Sequence, residues 1–140
     1  QPLLDENNSN PSRITVYNLW RRFDKDGVNA PFALCDSRTV SEKELIPTDL
    51  FNYGKEEENT ETLADENGFT VEIYQSMNSD NHKWYFYPKM NRDEVVMFKT
   101  YDSNEKPFMP TLHSAFDDVA FNENVSPRES IEVRAICFFD

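Results

Sequence analysis

Two stretches near the end of the chain decide the reading: Pro110-Thr-Leu-His113-Ser-Ala-Phe116-Asp-Asp118 and Pro127-Arg128-Glu-Ser130-Ile-Glu-Val-Arg134-Ala-Ile-Cys-Phe-Phe139. His113 stands where a strand should begin. Fifteen residues further on, Arg128-Glu-Ser130 opens a second run, Ile131 to Phe139, of strand-like composition. On neighbouring strands of an antiparallel barrel, the imidazole and the guanidinium would point into one cavity. A neutral imidazole is a common ligand for a first-row metal. An arginine fork can hold a carboxylate through two parallel hydrogen bonds, with a serine hydroxyl assisting.

Upstream, the pattern is again that of strands. Arg13 to Trp20 carries Ile14, Val16, Tyr17 and Leu19, residues that suit a pleated surface. Asp24-Lys-Asp-Gly27 signals a turn, and Phe32-Ala-Leu-Cys35 is a short apolar run. Ser41-Glu-Lys-Glu44 has capping-box spacing and predicts a helical turn, as does Asn91-Arg-Asp-Glu94. Asn67-Gly68 is the strongest hairpin signal, followed by Phe69, Val71 and Ile73 alternating with polar residues. His82 to Tyr87 and Val95 to Tyr101 complete the set. Residues 1–12 are polar and read as a flexible lead-in. Residues 54–67 are strongly acidic and read as a solvated loop or hairpin tip, without the spacing of a calcium-binding loop. Many short strands, few helices and no repeat predict one mainly β domain over 13–140, a barrel or a sandwich.

Composition narrows the partners. The 140 residues suffice for one core. Acidic residues outnumber basic ones 26 to 14, giving a net charge of −12. No basic stripe is present to displace counterions from phosphate, so nucleic acid is not expected. No run of 18 apolar residues and no signal peptide occurs, so neither a membrane nor secretion is expected. Cys35 and Cys137 sit in apolar runs and read as buried free thiols in a reducing cytoplasm. Without a secretion signal, the sequons at Asn7 and Asn124 carry little weight.

Taken together, Val16-Tyr-Asn-Leu-Trp20-Arg, Pro31-Phe-Ala-Leu-Cys-Asp-Ser-Arg-Thr-Val40, His82-Lys-Trp-Tyr-Phe-Tyr-Pro88, Asp93-Glu-Val-Val-Met-Phe-Lys-Thr-Tyr-Asp-Ser103, His113-Ser-Ala-Phe and Pro127-Arg-Glu-Ser-Ile-Glu-Val-Arg134 resemble the fungal AsaB-like hydroxylase/desaturase family. That family includes gibberellin desaturase and is related to the CmcJ component of cephamycin 7-hydroxylation. The blocks run in order along nearly the whole chain. The resemblance implies a double-stranded β-helix, the jelly-roll or cupin-like barrel, of which this chain is the C-terminal portion and so an incomplete copy. It implies an Fe(II)/2-oxoglutarate-dependent oxygenase that hydroxylates or desaturates a small secondary metabolite.

Residue by residue, the resemblance makes His113 the distal iron ligand. Arg128 holds the far carboxylate of 2-oxoglutarate, with Ser130 donating to the same group. Arg134 is the second candidate for that carboxylate, and the expectation is that a bulge would be needed to aim it there. His82 fits aromatic packing better than ligation. Asn18, Trp20 and Tyr85 are candidate lining residues of the cavity or core residues.

One departure stands out. Such oxygenases take a histidine and a carboxylate from an upstream His-x-Asp or His-x-Glu. Only His82-Lys-Trp84 and His113-Ser-Ala115 are present here, and neither qualifies. Weak or absent binding of Fe(II) and 2-oxoglutarate, and no turnover, are therefore expected of the 140 residues alone. The alternative reading is a non-catalytic, metal-free module on the same barrel that binds a small molecule or a protein. No group is expected to act as a catalytic acid, base or nucleophile under either reading.

Overall fold

The computed structural model describes residues 11–23, 30–53, 69–117 and 128–140. Residues 1–10, the expected turn Asp24–Gly27, the acidic run 54–67, Asn67-Gly68 and both sequons lie outside these residues. The chain forms two compact units, Ser41–Asp80 and Gln1–Val40 with Asn81–Asp140.

In the smaller unit, β3 (Leu45–Tyr53) pairs antiparallel with β4 (Phe69–Ser76). A single 3-10 turn, Glu42–Glu44, precedes them. The expected capping spacing holds, since the Ser41 amide donates to the Glu44 carboxylate at 2.7 Å. At Asn91 the same kind of contact forms without a helix: the Asn91 amide donates to Glu94 at 2.7 Å and the Asp93 amide to the Asn91 side chain at 2.8 Å. Four residues with β-branched Val95 and Val96 following give a turn that runs directly into a strand.

The larger unit holds two three-stranded antiparallel sheets. One has the order β6-β1-β8, from β1 (Arg13–Arg22), β6 (Val96–Asp102) and β8 (Ser130–Phe139). The other has the order β5-β2-β7, from β2 (Phe32–Cys35), β5 (Trp84–Phe86) and β7 (His113–Ala115). After β5 the chain crosses to the first sheet for β6, back for β7 and over again for β8, the winding of a jelly roll. β5 is shorter than the expected run from His82 to Tyr87: His82 falls before the strand, and Pro88 cannot donate to a ladder.

Aromatic side chains join the two sheets. Trp20 of β1 stacks on Phe32 of β2, with ring centroids 4.3 Å apart and planes 7° off parallel. Trp20, Met90 and Phe98 are buried, and Phe32, Leu34 and Val96 pack against them. Apolar area removed from water stabilises this contact at roughly 25 cal/mol per Å². At the opposite end of β1, Arg13 donates to the buried Asp102 through Nε at 2.9 Å, and Lys99 Nζ reaches the same carboxylate at 2.7 Å. The Arg13 guanidinium above all, then Lys99, holds the Asp102 carboxyl far below the ordinary carboxylate range. Both cysteines are free thiols; Cys35 is buried and Cys137 half-buried.

Candidate functional site

His113 opens β7 opposite Leu34 of β2, and this register turns its ring toward the first sheet. The ring lies 4.7 Å from Phe98 and 5.9 Å from Phe32, centroid to centroid. Its Nδ1 is 3.1 Å from the Thr111 carbonyl oxygen. A proton on Nδ1 would be donated to that carbonyl, leaving the lone pair on Nε2, the arrangement a metal-binding imidazole needs. Nε2 stands 3.9 Å from Oε2 of Glu132 on β8.

Strand alternation then places the rest of β8. Ser130, Glu132 and Arg134 share one side of the strand, and in the antiparallel register they lie opposite Arg22, Trp20 and Asn18. Arg22, Trp20 and Asn18 are all buried. This corrects the expectation for Arg134. No bulge on β8 is needed to aim it, because its Nε donates to the Asn18 side-chain oxygen at 3.2 Å. A bulge does exist, but on the other side of β1. Between Val16 and Tyr17 the pairing jumps from Tyr101 to Lys99, making Thr100 the extra residue of β6. Thr100 Oγ1 donates to the same Asn18 oxygen at 3.3 Å, and Asn18 Nδ2 donates to Glu132 at 2.5 Å.

Arg128 lies just before β8. One Nη donates to the Ala30 carbonyl at 2.8 Å, and its guanidinium lies 5.6 Å over the Trp20 ring. Those contacts orient the planar group by a hydrogen bond and a cation–π interaction. The structure thus brings His113, Glu132, Arg134 and Asn18 together, with Ser130 at the start of the same strand and Arg128 just before it. Asn18 and Glu132 were the residues sequence reasoning undervalued. For Glu132 the signal was the shared parity of 130, 132 and 134; Asn18 gave none before its partners on β8 were known.

Two concavities flank this region. One, of about 220 Å³, is lined by Trp20, Arg22, Phe32, Leu34, Tyr85 and Met90 among others, which places two of the three candidate lining residues in it. The other, of about 420 Å³, lies against Ala33, Trp84, Phe86, Ser114 and Phe116. Among the described residues, no three His, Cys, Asp or Glu side chains converge as a metal-binding group. Among them too, no helix is long and apolar enough to cross a membrane.

A mainly β, jelly-roll fold with an imidazole and guanidinium groups close together beside its core is that of an oxygenase-like barrel, and comparison with known proteins agrees with this fold. Residues 3–138 match the family described as oxidoreductase/YMDC permease-like domain, and the chain belongs to that family. It is 30% identical over 127 residues to the Fe(II)/2-oxoglutarate-dependent dioxygenase nvfI of Aspergillus novofumigatus, an alignment covering 91% of this chain and 41% of that protein. To the hydroxylase/desaturase asaB of Aspergillus flavus it is 27% identical over 136 residues, covering 92% of this chain and 57% of that one. The solved structure of the iron and alpha-ketoglutarate-dependent endoperoxidase NvfI superposes with a TM-score of 0.71 at 28% identity, over 91% of this chain and 43% of that one. The chain spans about half the length of the curated relatives it matches.

Proposed function

We propose that this chain provides the distal-histidine side of an Fe(II)/2-oxoglutarate-dependent oxygenase acting on a small secondary metabolite. The observation that carries this reading is the orientation of His113: Nδ1 is engaged at 3.1 Å by the Thr111 carbonyl just before the strand, and Nε2 is directed toward Glu132 of β8. The fold shared with NvfI and the names of the fungal relatives support it.

The residues present fit part of the cofactor set. His113 would hold iron through Nε2, while Arg128 and Ser130 would hold the far carboxylate of 2-oxoglutarate by charge-assisted and neutral hydrogen bonds. Iron and 2-oxoglutarate, when bound, supply the oxidising chemistry needed to attack an unactivated carbon. The chain's own contribution is placement: Phe98 and Phe32 fix the imidazole plane, Thr111 its tautomer, and Trp20 with Ala30 the plane of the Arg128 guanidinium. One imidazole does not complete an iron site, which in this class takes two histidines and a carboxylate. β7 is an edge strand among the described residues, and a further strand pairing there would stand beside His113. Residues 13–140 are read as the C-terminal portion of such a barrel. A small-molecule substrate and a cytoplasmic setting belong to the same proposal.

Titration of the 140-residue chain with 2-oxoglutarate, followed by NMR, tests the carboxylate side directly. Weak, saturable binding that Arg128→Ala reduces about tenfold or more supports it. Equal binding by wild type and Arg128→Ala, with iron retained by neither, would favour a metal-free binding module instead.

A further inference from the structure

We propose that Asn18 is a positioning residue that keeps Arg134 open as a second carboxylate-binding arm, by standing between Arg134 and Glu132. The inference rests on the oxygenase reading above, because that reading supplies the ligand, a 2-oxo dicarboxylate with two anionic ends.

Glu132 and Arg134 are two residues apart on one side of β8, so their Cα atoms are separated by about 7 Å. Both side chains are long enough to meet, and opposite charges at that spacing would pair. A direct pair would occupy the outer edge of the guanidinium with the chain's own carboxylate. The structure shows a different arrangement. Asn18 is fully buried, and its amide is inserted in the network: Nδ2 donates to Glu132 at 2.5 Å, and Oδ1 accepts from Arg134 Nε at 3.2 Å. Thr100 Oγ1, delivered by the β6 bulge, donates to the same oxygen at 3.3 Å. The reverse amide orientation would set NH₂ against the guanidinium and oxygen against the carboxylate, so the network fixes a single orientation.

Two consequences follow for a ligand. Arg134 is anchored through Nε among the described residues, and its exposed Nη groups are left for an incoming carboxylate. Glu132, drawn to Asn18 through Oε1, keeps Oε2 toward His113 Nε2 at 3.9 Å rather than toward Arg134. Arg134 lies beyond Glu132 from Arg128 and Ser130, so the two arms flank the imidazole along β8. Such an arrangement suits a ligand with a carboxylate at each end.

The test is titration of the chain with 2-oxoglutarate, read from the Arg134 Nε–H resonance, with backbone spectra checking the fold of each variant. Wild type should show a saturable shift at millimolar 2-oxoglutarate. Arg134→Gln should weaken binding about tenfold. Asn18→Leu, close to Asn in shape, should weaken it comparably by letting Glu132 capture Arg134. Adding Glu132→Gln to Asn18→Leu should restore most of the affinity, a rescue that a purely structural role for Asn18 would not give. Should Asn18→Leu not fold, Asn18→Ser with and without Glu132→Gln carries the same comparison. No shift in wild type, wild-type affinity in Arg134→Gln, or no rescue by Glu132→Gln would overturn the proposal. Loss in Arg128→Ala but not in Arg134→Gln would overturn this inference alone. No loss in either would overturn the oxygenase reading with it.

Discussion

Thr15 offers a prediction that follows from burial alone. It is fully buried in β1, and its hydroxyl oxygen has no hydrogen-bond partner among the described residues. A buried hydroxyl without a partner costs about 1–3 kcal/mol relative to its hydrated state. Thr15→Val keeps the branched shape that a central strand favours and replaces the hydroxyl by a methyl group. Neither neighbour in the ladder changes, because the pairings to Cys137 and Asp102 run through the backbone. The variant should therefore be more stable by about 1–3 kcal/mol. Urea unfolding is the assay. With a slope of about 2 kcal/mol/M, ordinary for a small domain, the midpoint should rise by roughly 0.5–1.5 M at unchanged slope. Thr15→Ser, which keeps the hydroxyl and loses the methyl, should be less stable than wild type. An unchanged or lower midpoint for Thr15→Val would refute the reasoning, because it would mean that the hydroxyl is satisfied.

Three further outcomes are expected. Phe98→Ala removes a buried ring that packs on Phe32 and His113, and should cost about 3–5 kcal/mol in the same urea assay; a loss below about 1 kcal/mol would contradict the core assignment. In 2-oxoglutarate titrations, Arg128→Lys should recover only part of what Arg128→Ala loses, since an ammonium cannot reproduce the fork, and Ser130→Ala should cost about 1 kcal/mol. The Arg38 guanidinium, then the Arg38 backbone amide, lowers the Asp36 carboxyl to about 2. A depressed folded pKa means that the pair stabilises above the ordinary carboxylate range and loses this effect as pH falls from about 4 toward 2. The stability gap between wild type and Asp36→Asn should close over that interval, and a gap constant with pH would reject the ion pair.

How much of this was legible in the sequence depends on how locally each feature is determined. β1 and β8 could be read from their own residues, because a long strand carries enough alternating and β-branched positions to declare itself. β5 was read too long, since the aromatic run from His82 to Tyr87 looks uniform in composition, while ladder pairing stops short of Pro88. His113, Arg128 and Ser130 were singled out through motif resemblance, and their roles belong to the proposal. Arg134 was misjudged although parity alone sets it beside Ser130 and Glu132. Asn18 was the least legible. A polar residue in an apolar strand declares its role only once the bulge at Thr100 and the partners on β8 are known, and both depend on strand register. That pairing across 114 or more residues is written in no local window.

On the proposal above, His113 is one of several iron ligands, and the others would come from a segment pairing beside it. Its most direct test is anaerobic absorption spectroscopy with Fe(II) and 2-oxoglutarate. Two samples are compared: this chain alone, and this chain fused to the part of the Aspergillus flavus relative that it does not match. The account predicts a charge-transfer band in the fusion, its loss on His113→Ala, and no band in the chain alone. A band in the chain alone, or one that survives His113→Ala in the fusion, would contradict it.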